Sequence, residues 1–209
     1  MIFATRASGT GDWHESVQLQ GYGLTLTPLG PDDAGDFLAA LGSPTEACEV
    51  LAHLTYPPPV DVVAATKIIT AAVDDHDRIA YAQRLTATDE LVGTTSYYEI
   101  NPTLRALAIG HTWVARRHWR TFVNTASKLI MLERAFDGLG AERMVWHTDI
   151  RNVRSQAAIA RLGAVREGVL RHHRIRRDGS WRDTVQFSML SAEWPQARDR
   201  LLSRLAYPL

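Results

Sequence analysis

The chain has 209 residues with no formal net charge at pH 7, and 45% of its residues are hydrophobic. This composition suits a globular protein with one sizeable core, excludes a chain that is disordered throughout, and argues against a protein that coats nucleic acid. The single cysteine, Cys48, excludes an internal disulfide framework and a thiolate metal site, so we expect no metal and a reducing, cytoplasmic setting. We also expect no membrane span and no signal peptide, because no apolar run has the required length.

The first half predicts four strands and two helices. Residues 1–16 predict a loose extension, and a single α/β domain is predicted over residues 17–209. Proline and aspartates at 31–33 favour a helix start, and Asp89-Glu90 favours a hairpin turn. The predicted strands cover 17–28, 79–87, 91–100 and 104–114, and the predicted helices cover 31–41 and 60–77, with a proline-rich loop between them.

In the second half, apolar residues at spacings of three and four predict a helix over 122–139, with Gly140 at its carboxyl end. A second helix is predicted over 152–162, between Asn152 and Gly163, which are good capping residues. The remaining predicted elements are strands over 143–148, 164–174 and 184–190 and a closing helix over 193–205.

A basic turn separates the predicted strand 104–114 from the helix that follows. Its four basic side chains are Arg116, Arg117, His118 and Arg120. The amino end of a helix offers unpaired N–H groups and a partial positive charge, so cations beside it predict a phosphate-binding site. The alternative is a solvated basic loop, and this segment alone leaves both interpretations open.

A second stretch of interest is Asn152-Val153-Arg154-Ser155. Asn152 is a good helix cap, and Ser155 lies about one turn further along the helix. By itself this pattern requires no more than a capped helix.

These motifs, in this order, resemble the GNAT acetyltransferase superfamily, and within it the RimJ/RimL-like branch. The resemblance extends over about residues 17–205. The matching places are Asn124-Thr125 with Lys128, Asn152 to Ser155, Arg161 to Gly168, Arg182-Asp183-Thr184 and Glu193-Trp194-Pro195. The resemblance implies an α/β GNAT fold, with a mixed, mostly antiparallel central sheet of about seven strands flanked by helices. It also implies acetyl-CoA as the acyl donor.

The resemblance further implies where the donor binds. The backbone of Trp113 and Val114, at the bulged end of the fourth predicted strand, would pair with the pantetheine arm where the fourth and fifth strands splay apart. The turn and the helix start would hold the pyrophosphate. Asn152 would bond the pantetheine arm, and Ser155 would lie near the sulfur. The residues expected to contact the coenzyme are Trp113, Val114, Arg117, Trp119, Arg120, Thr121, Phe122, Val123, Asn124, Thr125, Lys128, Asn152 and Ser155.

The turn departs from the family pattern at two positions. Arg120 and Phe122 stand where the family usually has small residues. Glycine there lets the backbone approach the phosphates. Arg120 is a candidate to supply by its side chain what the glycine turn supplies by its backbone.

For catalysis, the resemblance implies direct transfer to an amine in a ternary complex. No covalent nucleophile is required, so Cys48 has no predicted role. A backbone N–H at Trp113 or Val114 is the predicted donor to the oxyanion, and Ser155 is the predicted acid for the departing thiolate.

The general base stays open at this stage. Many relatives have a glutamate where this chain has Ala108. His111 and Glu167 are the predicted catalytic candidates beside Ser155, Glu99 is another, and a base acting through water is also consistent.

The sequence does not identify the acceptor beyond a primary amine, on a small molecule or at a protein N-terminus. One alternative keeps the fold but uses succinyl-CoA or another acyl-CoA as the donor. Another is a coenzyme-binding sensor or scaffold whose catalytic site is degenerate. The branch suggests a homodimer. The basic run 171–177 suits either an acidic partner or a solvated hairpin, and neither nucleic acid nor a membrane is an expected partner.

Overall fold

The computed structural model describes residues 12–206, which form eight strands and six α-helices. The strands are Leu19–Gly21 (β1), Leu24–Pro28 (β2), Arg78–Leu85 (β3), Leu91–Asn101 (β4), Ala106–Val114 (β5), Arg143–Asp149 (β6), Val165–Ile175 (β7) and Trp181–Leu190 (β8). The helices are Ala34–Leu41 (α1), Pro44–Val50 (α2), Val62–Val73 (α3), Val123–Glu133 (α4), Val153–Leu162 (α5) and Trp194–Ala206 (α6).

The strands form one sheet in the order β1-β2-β3-β4-β5-β6-β8-β7. Neighbouring strands are antiparallel except for β5 and β6, which are parallel. The predicted α/β fold is therefore confirmed, but the described residues contain eight strands rather than seven. The predicted strand 17–28 turns back on itself at Tyr22 and Gly23, whose φ angles of 54° and 76° suit a two-residue hairpin turn.

Helix α2 forms where a proline-rich loop was predicted. Ser43 Oγ accepts the Glu46 N–H at 3.3 Å, the Glu46 carboxylate accepts the Ser43 N–H at 2.9 Å, and Pro44 is the first helical residue. In such a capping box each residue satisfies a backbone N–H of the other, which fixes the start of the helix. The signal was present in the sequence as Ser-Pro-Thr-Glu.

Two other helices are shorter than predicted. Helix α3 begins after Asp61, whose carboxylate accepts the Ala64 N–H at 2.7 Å, and it ends at Val73 rather than at residue 77. Helix α4 ends at Glu133 and continues into a π-helical turn, Arg134–Gly138.

Apolar clusters cover the two faces of the sheet. The larger cluster packs strand residues such as Leu26, Tyr97 and Ile109 against α4, α5 and α6. The smaller cluster packs Ala82 and Trp113, among others, against α1, α2 and α3. We call the two sides the α4 face and the α1 face. No described residue of β6, β7 or β8 belongs to the smaller cluster, so helices α1–α3 leave the α1 face open across these strands.

Residues 1–11 of the predicted N-terminal extension lie outside the described residues. Trp13 packs against the larger cluster, and Arg134 donates to the carbonyls of Asp12 and Glu15 at 3.4 and 3.1 Å. Among residues 12–206, no helix has the length and apolar character needed to cross a membrane.

Candidate active site

The parallel strands β5 and β6 separate part of the way along their length. Their paired residues run only from Ala106 with Arg143 to Ala108 with Val145, although β5 continues to Val114 and β6 to Asp149. The splay expected between these strands is therefore present, and we call it the β5–β6 opening. Backbone groups on its two edges lack the partners that a continuous sheet would give them, so the opening suits an extended polar ligand.

A β-bulge lies in β5 beside the opening. Thr94 pairs with Trp113 and Ser96 pairs with Gly110, so Thr95 faces two residues, His111 and Thr112. His111 has a φ of 50°, in the left-handed region. The bulge lies two residues before the position expected from the resemblance, which was the end of the strand at Trp113 and Val114.

Lys128 supports this bulge from the α4 side. It is 5% exposed, and its Nζ donates to Thr95 Oγ1 at 2.9 Å and Thr112 Oγ1 at 2.8 Å. Burial lowers the pKa of Lys128 to about 7. The sequence predicted that Lys128 contacts the coenzyme, but its amine lies inside the sheet–helix interface, more than one turn past the amino end of α4. The Lys128 amine therefore lies beneath the bulge, away from the amino end of α4.

The backbone carbonyls at the end of β5 already accept side-chain donors. Gln83 Nε2 donates to Trp113 O at 3.1 Å, and Trp119 Nε1 donates to Val114 O at 2.7 Å. The Ala115 N–H donates to Val92 of β4 at 2.8 Å. Because backbone groups alternate along a strand, the Val114 N–H faces the other side, toward the opening. Of the two predicted backbone partners, the Val114 N–H is the better placed for a ligand.

The amino end of α4 has no side-chain cap. Phe122 precedes the helix without a capping hydrogen bond, and the helix's first backbone bond runs from the Ala126 N–H to Phe122 O at 2.9 Å. The N–H groups of the first turn, including those of Asn124 and Thr125, therefore point outward with the positive end of the helix. Thr121 Oγ1 donates to His118 O at 2.7 Å and accepts the Val123 N–H at 3.4 Å, which keeps the turn closed.

Two arginines of the basic turn form ion pairs with carboxylates. Arg116 pairs with Glu49 of α2 at 2.7 Å, and Arg117 pairs with Glu90 of the β3–β4 turn at 2.6 Å. His118 lies 3.2 Å from the same Glu90 carboxylate, whose pKa is lowered by the hydrogen bonds from Arg117 and His118. These contacts draw the predicted phosphate ligand Arg117 toward the β3–β4 turn.

Arg120 differs from its neighbours. It is exposed, and within residues 12–206 it forms no ion pair. Its φ of 63° places it in the left-handed region, which favours glycine. The turn therefore keeps the backbone shape that glycine usually supplies at this family position, with an arginine side chain added.

A cation missed by the sequence predictions is Arg154, in the first turn of α5. Its guanidinium carbon lies 3.8 Å from the centre of the Trp119 ring, a cation–π contact. Trp119 belongs to the segment between β5 and α4, so this contact joins the two sides of the opening. The sequence could have identified Arg154, because it lies at the amino end of a predicted helix between Asn152 and Ser155.

The amino end of α5 is capped as the local sequence predicted. Asn152 Oδ1 accepts the Ser155 N–H at 3.0 Å, and both residues are half-buried. The capping interaction uses the side-chain oxygen of Asn152, so its NH₂ group remains a donor that can be offered to a ligand.

On the α1 face, a chain of hydrogen bonds crosses the base of the opening. Tyr98 of β4 reaches across Gly110 of β5, and its hydroxyl lies 3.0 Å from His147 Nδ1 on β6. His147 Nε2 lies 3.1 Å from Gln186 Oε1, and Gln186 Nε2 donates to the Glu167 carboxylate at 2.8 Å. A side chain at Gly110 would meet the Tyr98 ring, so this position must stay small.

This chain determines which nitrogen of His147 carries the proton. Hydrogen bonds, chiefly from Arg143, together with those from Gln186 and Ser188, lower the pKa of Glu167 to about 2, so its carboxylate is charged and only accepts. Gln186 must therefore turn its NH₂ toward Glu167 and its oxygen toward His147. Neutral His147 then has its proton on Nε2, and its Nδ1 accepts from the Tyr98 hydroxyl.

Glu167 was one of the candidates for the general base, and its surroundings suit that role badly. Arg143 donates to both of its oxygens, at 2.7 and 2.5 Å, and Ser188 donates at 2.8 Å. A carboxylate with so low a pKa has little tendency to take a proton at neutral pH. Its position instead orients Gln186, and through Gln186 it orients His147.

His111 and Glu99 lie beside the same chain. The His111 ring is 5.2 Å from the Tyr98 ring, edge to face, and burial, together with Arg78, Arg174 and Arg182, lowers the pKa of His111 to about 4. Glu99 lies 3.8 Å from His147 Nδ1. The structure therefore gathers Tyr98, His147 and Gln186, which the sequence did not single out, around His111 and Glu99, which it did.

A contact between two loops encloses the α1 face above these residues. Arg177, between β7 and β8, donates to the carbonyls of Ala52 and Tyr56, between α2 and α3, at 3.3 and 3.1 Å. The contact with Arg177 joins the segment between α2 and α3 to the β7–β8 connection beside the open part of this face.

Comparison with known proteins gives a consistent result. The family model described as acetyltransferase (GNAT) domain matches residues 23–165. A solved GCN5-related N-acetyltransferase from Brucella melitensis is 25% identical, with a TM-score of 0.87, over 92% of this chain and 87% of that chain. A GNAT-family chain from Chromobacterium violaceum is 27% identical, with a TM-score of 0.82, over 93% and 96%.

Mycobacterium smegmatis RimJ, solved in complex with CoA-disulfide, is 23% identical with a TM-score of 0.72, over 90% of this chain and 92% of that chain. This likeness confirms the RimJ/RimL-like resemblance at the level of the fold. Among proteins of curated function, none matches the sequence.

Proposed function

The chain belongs to the GNAT family of acetyltransferases, and from that premise we propose that this N-acetyltransferase moves an acetyl group from acetyl-CoA directly to a primary amine in a ternary complex. The observation that carries the proposal is the β5–β6 opening, because it has helix amino ends on one side of the sheet and the Tyr98–His147 pair on the other. A donor thioester in the opening would meet an amine that arrives along the α1 face.

The residues around the opening fit the two ends of the donor. The uncapped amino end of α4, with Arg120 and Arg154 nearby, supplies N–H groups and positive charge suited to the pyrophosphate. The Val114 N–H and the Asn152 amide are donors suited to the amide groups of the pantetheine arm. Bound acetyl-CoA supplies the activated acetyl group, and the protein supplies its orientation.

We assign proton removal to the Tyr98–His147 pair. Since the Tyr98 hydroxyl donates to His147 Nδ1, its oxygen is left to accept an N–H from the amine. As the amine nitrogen bonds to the acetyl carbon, its proton passes to the Tyr98 oxygen while the Tyr98 proton passes to His147 Nδ1. The imidazolium so formed lies 3.8 Å from Glu99, whose negative charge stabilises it.

The other half of the transfer uses groups in the opening. The Val114 N–H is the proposed donor to the negative charge that develops on the acetyl oxygen. When the carbon–sulfur bond breaks, the sulfur takes up one proton, for which Ser155 remains the proposed donor. His147 then releases its proton to solvent, Ser155 takes up a proton from solvent, and both return to their starting forms.

His111 is the alternative proton acceptor, but its surroundings favour it less. A pKa of about 4 keeps it neutral at pH 7 and also makes it a weak base. The three arginines that act on it oppose the positive charge it would gain.

The test is steady-state thiol release with a panel of primary amines, together with calorimetric titration of acetyl-CoA. We expect Tyr98→Phe and His147→Gln to lower kcat by about 10²-fold or more, the usual size of a lost acid–base group, with the Kd for acetyl-CoA unchanged. His111→Gln is the matched control and should have a smaller effect. A normal kcat in His147→Gln with a large loss in His111→Gln would transfer the role to His111.

The same measurements separate the remaining alternatives. If acetyl-CoA binds but no amine releases thiol, a coenzyme-binding sensor replaces the enzyme. If succinyl-CoA gives a higher kcat/KM than acetyl-CoA, the donor assignment changes and the fold assignment stays.

We also propose a homodimer and a cytoplasmic location. The edge strand β7 and the start of β8 expose Val165, Ile175 and Trp181 by 52%, 59% and 55%, which is apolar surface that a second copy could cover. The exposed, unpaired Cys48 suits a reducing compartment. Light scattering of the full chain, compared with Ile175→Lys, tests the dimer.

A further inference from the structure

Two arginines on the α1 face have no carboxylate partner within residues 12–206. They are Arg78 at the start of β3 and Arg182 on β8, and both are half-buried. Arg78 Nε donates to Ser96 Oγ at 2.9 Å, and Arg182 Nε is buried without any hydrogen-bond partner in the described residues. By contrast, Arg176 on the adjacent β7–β8 connection pairs with Asp149 at 2.6 Å.

The strand register places both arginines on the same face as the catalytic pair. Arg78 pairs directly with Tyr98, so the two side chains share a face. Gln186 pairs with His147, and Arg182 lies four residues before Gln186 on the same strand, which returns it to that face. The side chains of Arg78 and Arg182 therefore lie on the face of the Tyr98–His147 pair, Arg78 on the strand next to β4 and Arg182 on the strand next to β6, and both act on His111.

The nearby carboxylates, Asp75 for Arg78 and Asp149 for Arg182, act on these arginines only from beyond ion-pair distance. Asp149 is held by Arg176, and Glu99 lies 3.7 Å from Arg174 and 3.8 Å from His147. Burial lowers the pKa of both Arg78 and Arg182, so the protein bears a cost for keeping their charges here. Half-buried cations without an acidic partner, beside a reaction centre, fit a ligand that brings the negative charge.

We propose that the acceptor is a small amine that also carries an oxyanion, either a carboxylate or a phosphate, which binds between Arg78 and Arg182 while the amine reaches the Tyr98 hydroxyl. Guanidinium groups suit this role because their paired N–H donors match the oxygens of either anion. The acceptor is small because Arg177 connects two loops over this face. The inference rests on the proposed acetyl transfer and adds the chemical class of the acceptor.

The bound anion would change the pKa of His111, which can be measured directly. The charged groups that act on His111 are Arg78, Arg174 and Arg182, which lower its pKa, and Asp75, which raises it. His147 and Glu99 lie on the same face. An anion between Arg78 and Arg182 would offset their field, so the pKa of His111 should rise on binding.

The first experiment compares matched acceptors. Linear ω-amino acids from glycine to 5-aminopentanoate are measured against their amides, and O-phosphoethanolamine against ethanolamine, by thiol release with acetyl-CoA. For at least one pair we expect the anionic member to have a kcat/KM about 10- to 100-fold higher, the range of a charge-assisted hydrogen-bonded pair. The carboxylate and phosphate series show which oxyanion is preferred.

Variants assign that preference to the two arginines. Arg78→Gln and Arg182→Gln should each remove most of the preference for the anionic member and leave the kcat/KM for neutral amines within about twofold, which also shows that the variants fold. Arg182→Lys should keep part of it. The control is Arg166→Gln, since Arg166 is exposed on β7. Equal rates for anionic and neutral members, or a preference that survives both variants, overturns the proposal.

A second experiment does not depend on turnover, so it separates this proposal from the proposed function. The His111 ring signals are followed by NMR as pH is varied, with and without glutarate or inorganic phosphate. We expect the anion to raise the pKa of His111 by about half a unit or more in the wild type and not in Arg182→Gln. If acetyl-CoA binds and no amine is acetylated, this response still supports the anion site, and its absence overturns it.

Discussion

The two sides of the β5–β6 opening differ in which polar group already has a partner, the arginine or the helix amino end. On the α4 side the helix end is uncapped, while Arg117 is paired with Glu90. On the α5 side Asn152 caps the helix, while Arg154 is stacked on Trp119. The uncapped helix end therefore belongs to α4, whereas the cation that can help it bind a phosphate belongs to α5.

This difference shows why a cluster of basic residues in a sequence is weak evidence for a phosphate site. A run of arginines attracts carboxylates from any element that folds beside it, here Glu49 of α2 and Glu90 of the β3–β4 turn. A cation from a separate element, such as Arg154, remains available because it forms no ion pair within residues 12–206, and the nearby Glu49 is paired with Arg116. Variants on the two sides of the opening test this contrast.

The largest effect concerns Lys128, the cation buried on the α4 side. Its pKa is about 7 in the folded protein, below the ordinary 10.5, so the unfolded chain binds more protons between these values. The free energy of unfolding should therefore rise by on the order of 3 kcal/mol from pH 7 to pH 10, with no such contribution below pH 7. Urea unfolding at each pH measures it.

Lys128→Met should remove that rise, because the variant has no amine to titrate at this position. Lys67→Met is the matched control, since Lys67 is exposed on α3, and it should keep the rise. A rise of equal size in Lys128→Met would show that the amine under the bulge does not carry the effect.

The next effect is on the α5 side. Arg154→Ala should weaken acetyl-CoA binding about tenfold in calorimetry, because one charge-assisted phosphate contact is lost. Arg161→Ala removes an exposed arginine from the last turn of the same helix and serves as the control. Equal affinities in the two variants would mean that Arg154 only stacks on Trp119.

A third prediction separates two roles of Asn152. Asn152→Ala should cost about 1 kcal/mol of stability, because the cap of α5 is lost. Asn152→Asp keeps an oxygen acceptor for the Ser155 N–H but loses the NH₂ donor, so stability should be kept and acetyl-CoA affinity should fall. If Asn152→Asp binds acetyl-CoA normally, the residue is a helix cap and no more.

The smallest effect is expected at Arg117. Its ion pair with Glu90 is exposed, so Arg117→Gln should change stability by less than about 1 kcal/mol and the Kd for acetyl-CoA by less than about twofold. Arg120→Gln is the companion variant, and it should weaken acetyl-CoA binding more. The reverse order would restore Arg117 to the phosphate site that the sequence predicted.

Much of the fold followed from patterns that act within a few residues. The helix between Asn152 and Gly163 was predicted because its caps are local, and the β3–β4 hairpin because its turn residues are adjacent. The hairpin at Tyr22-Gly23 was missed because a short strand pair resembles one long strand when only alternation is considered. Helix α2 was missed because its segment was interpreted from its prolines alone, although the capping box is visible in the sequence.

The sequence by itself determined the family, the order of most elements and the segment that starts α4, since these depend on local motifs and their spacing. Only the tertiary structure decided which polar groups face the opening. Tyr98, His147 and Gln186 lie on three strands far apart in sequence, and strand register alone brings them together. Burial then set the charges, because Lys128 and His111 have low pKa values for reasons of packing that no motif contains.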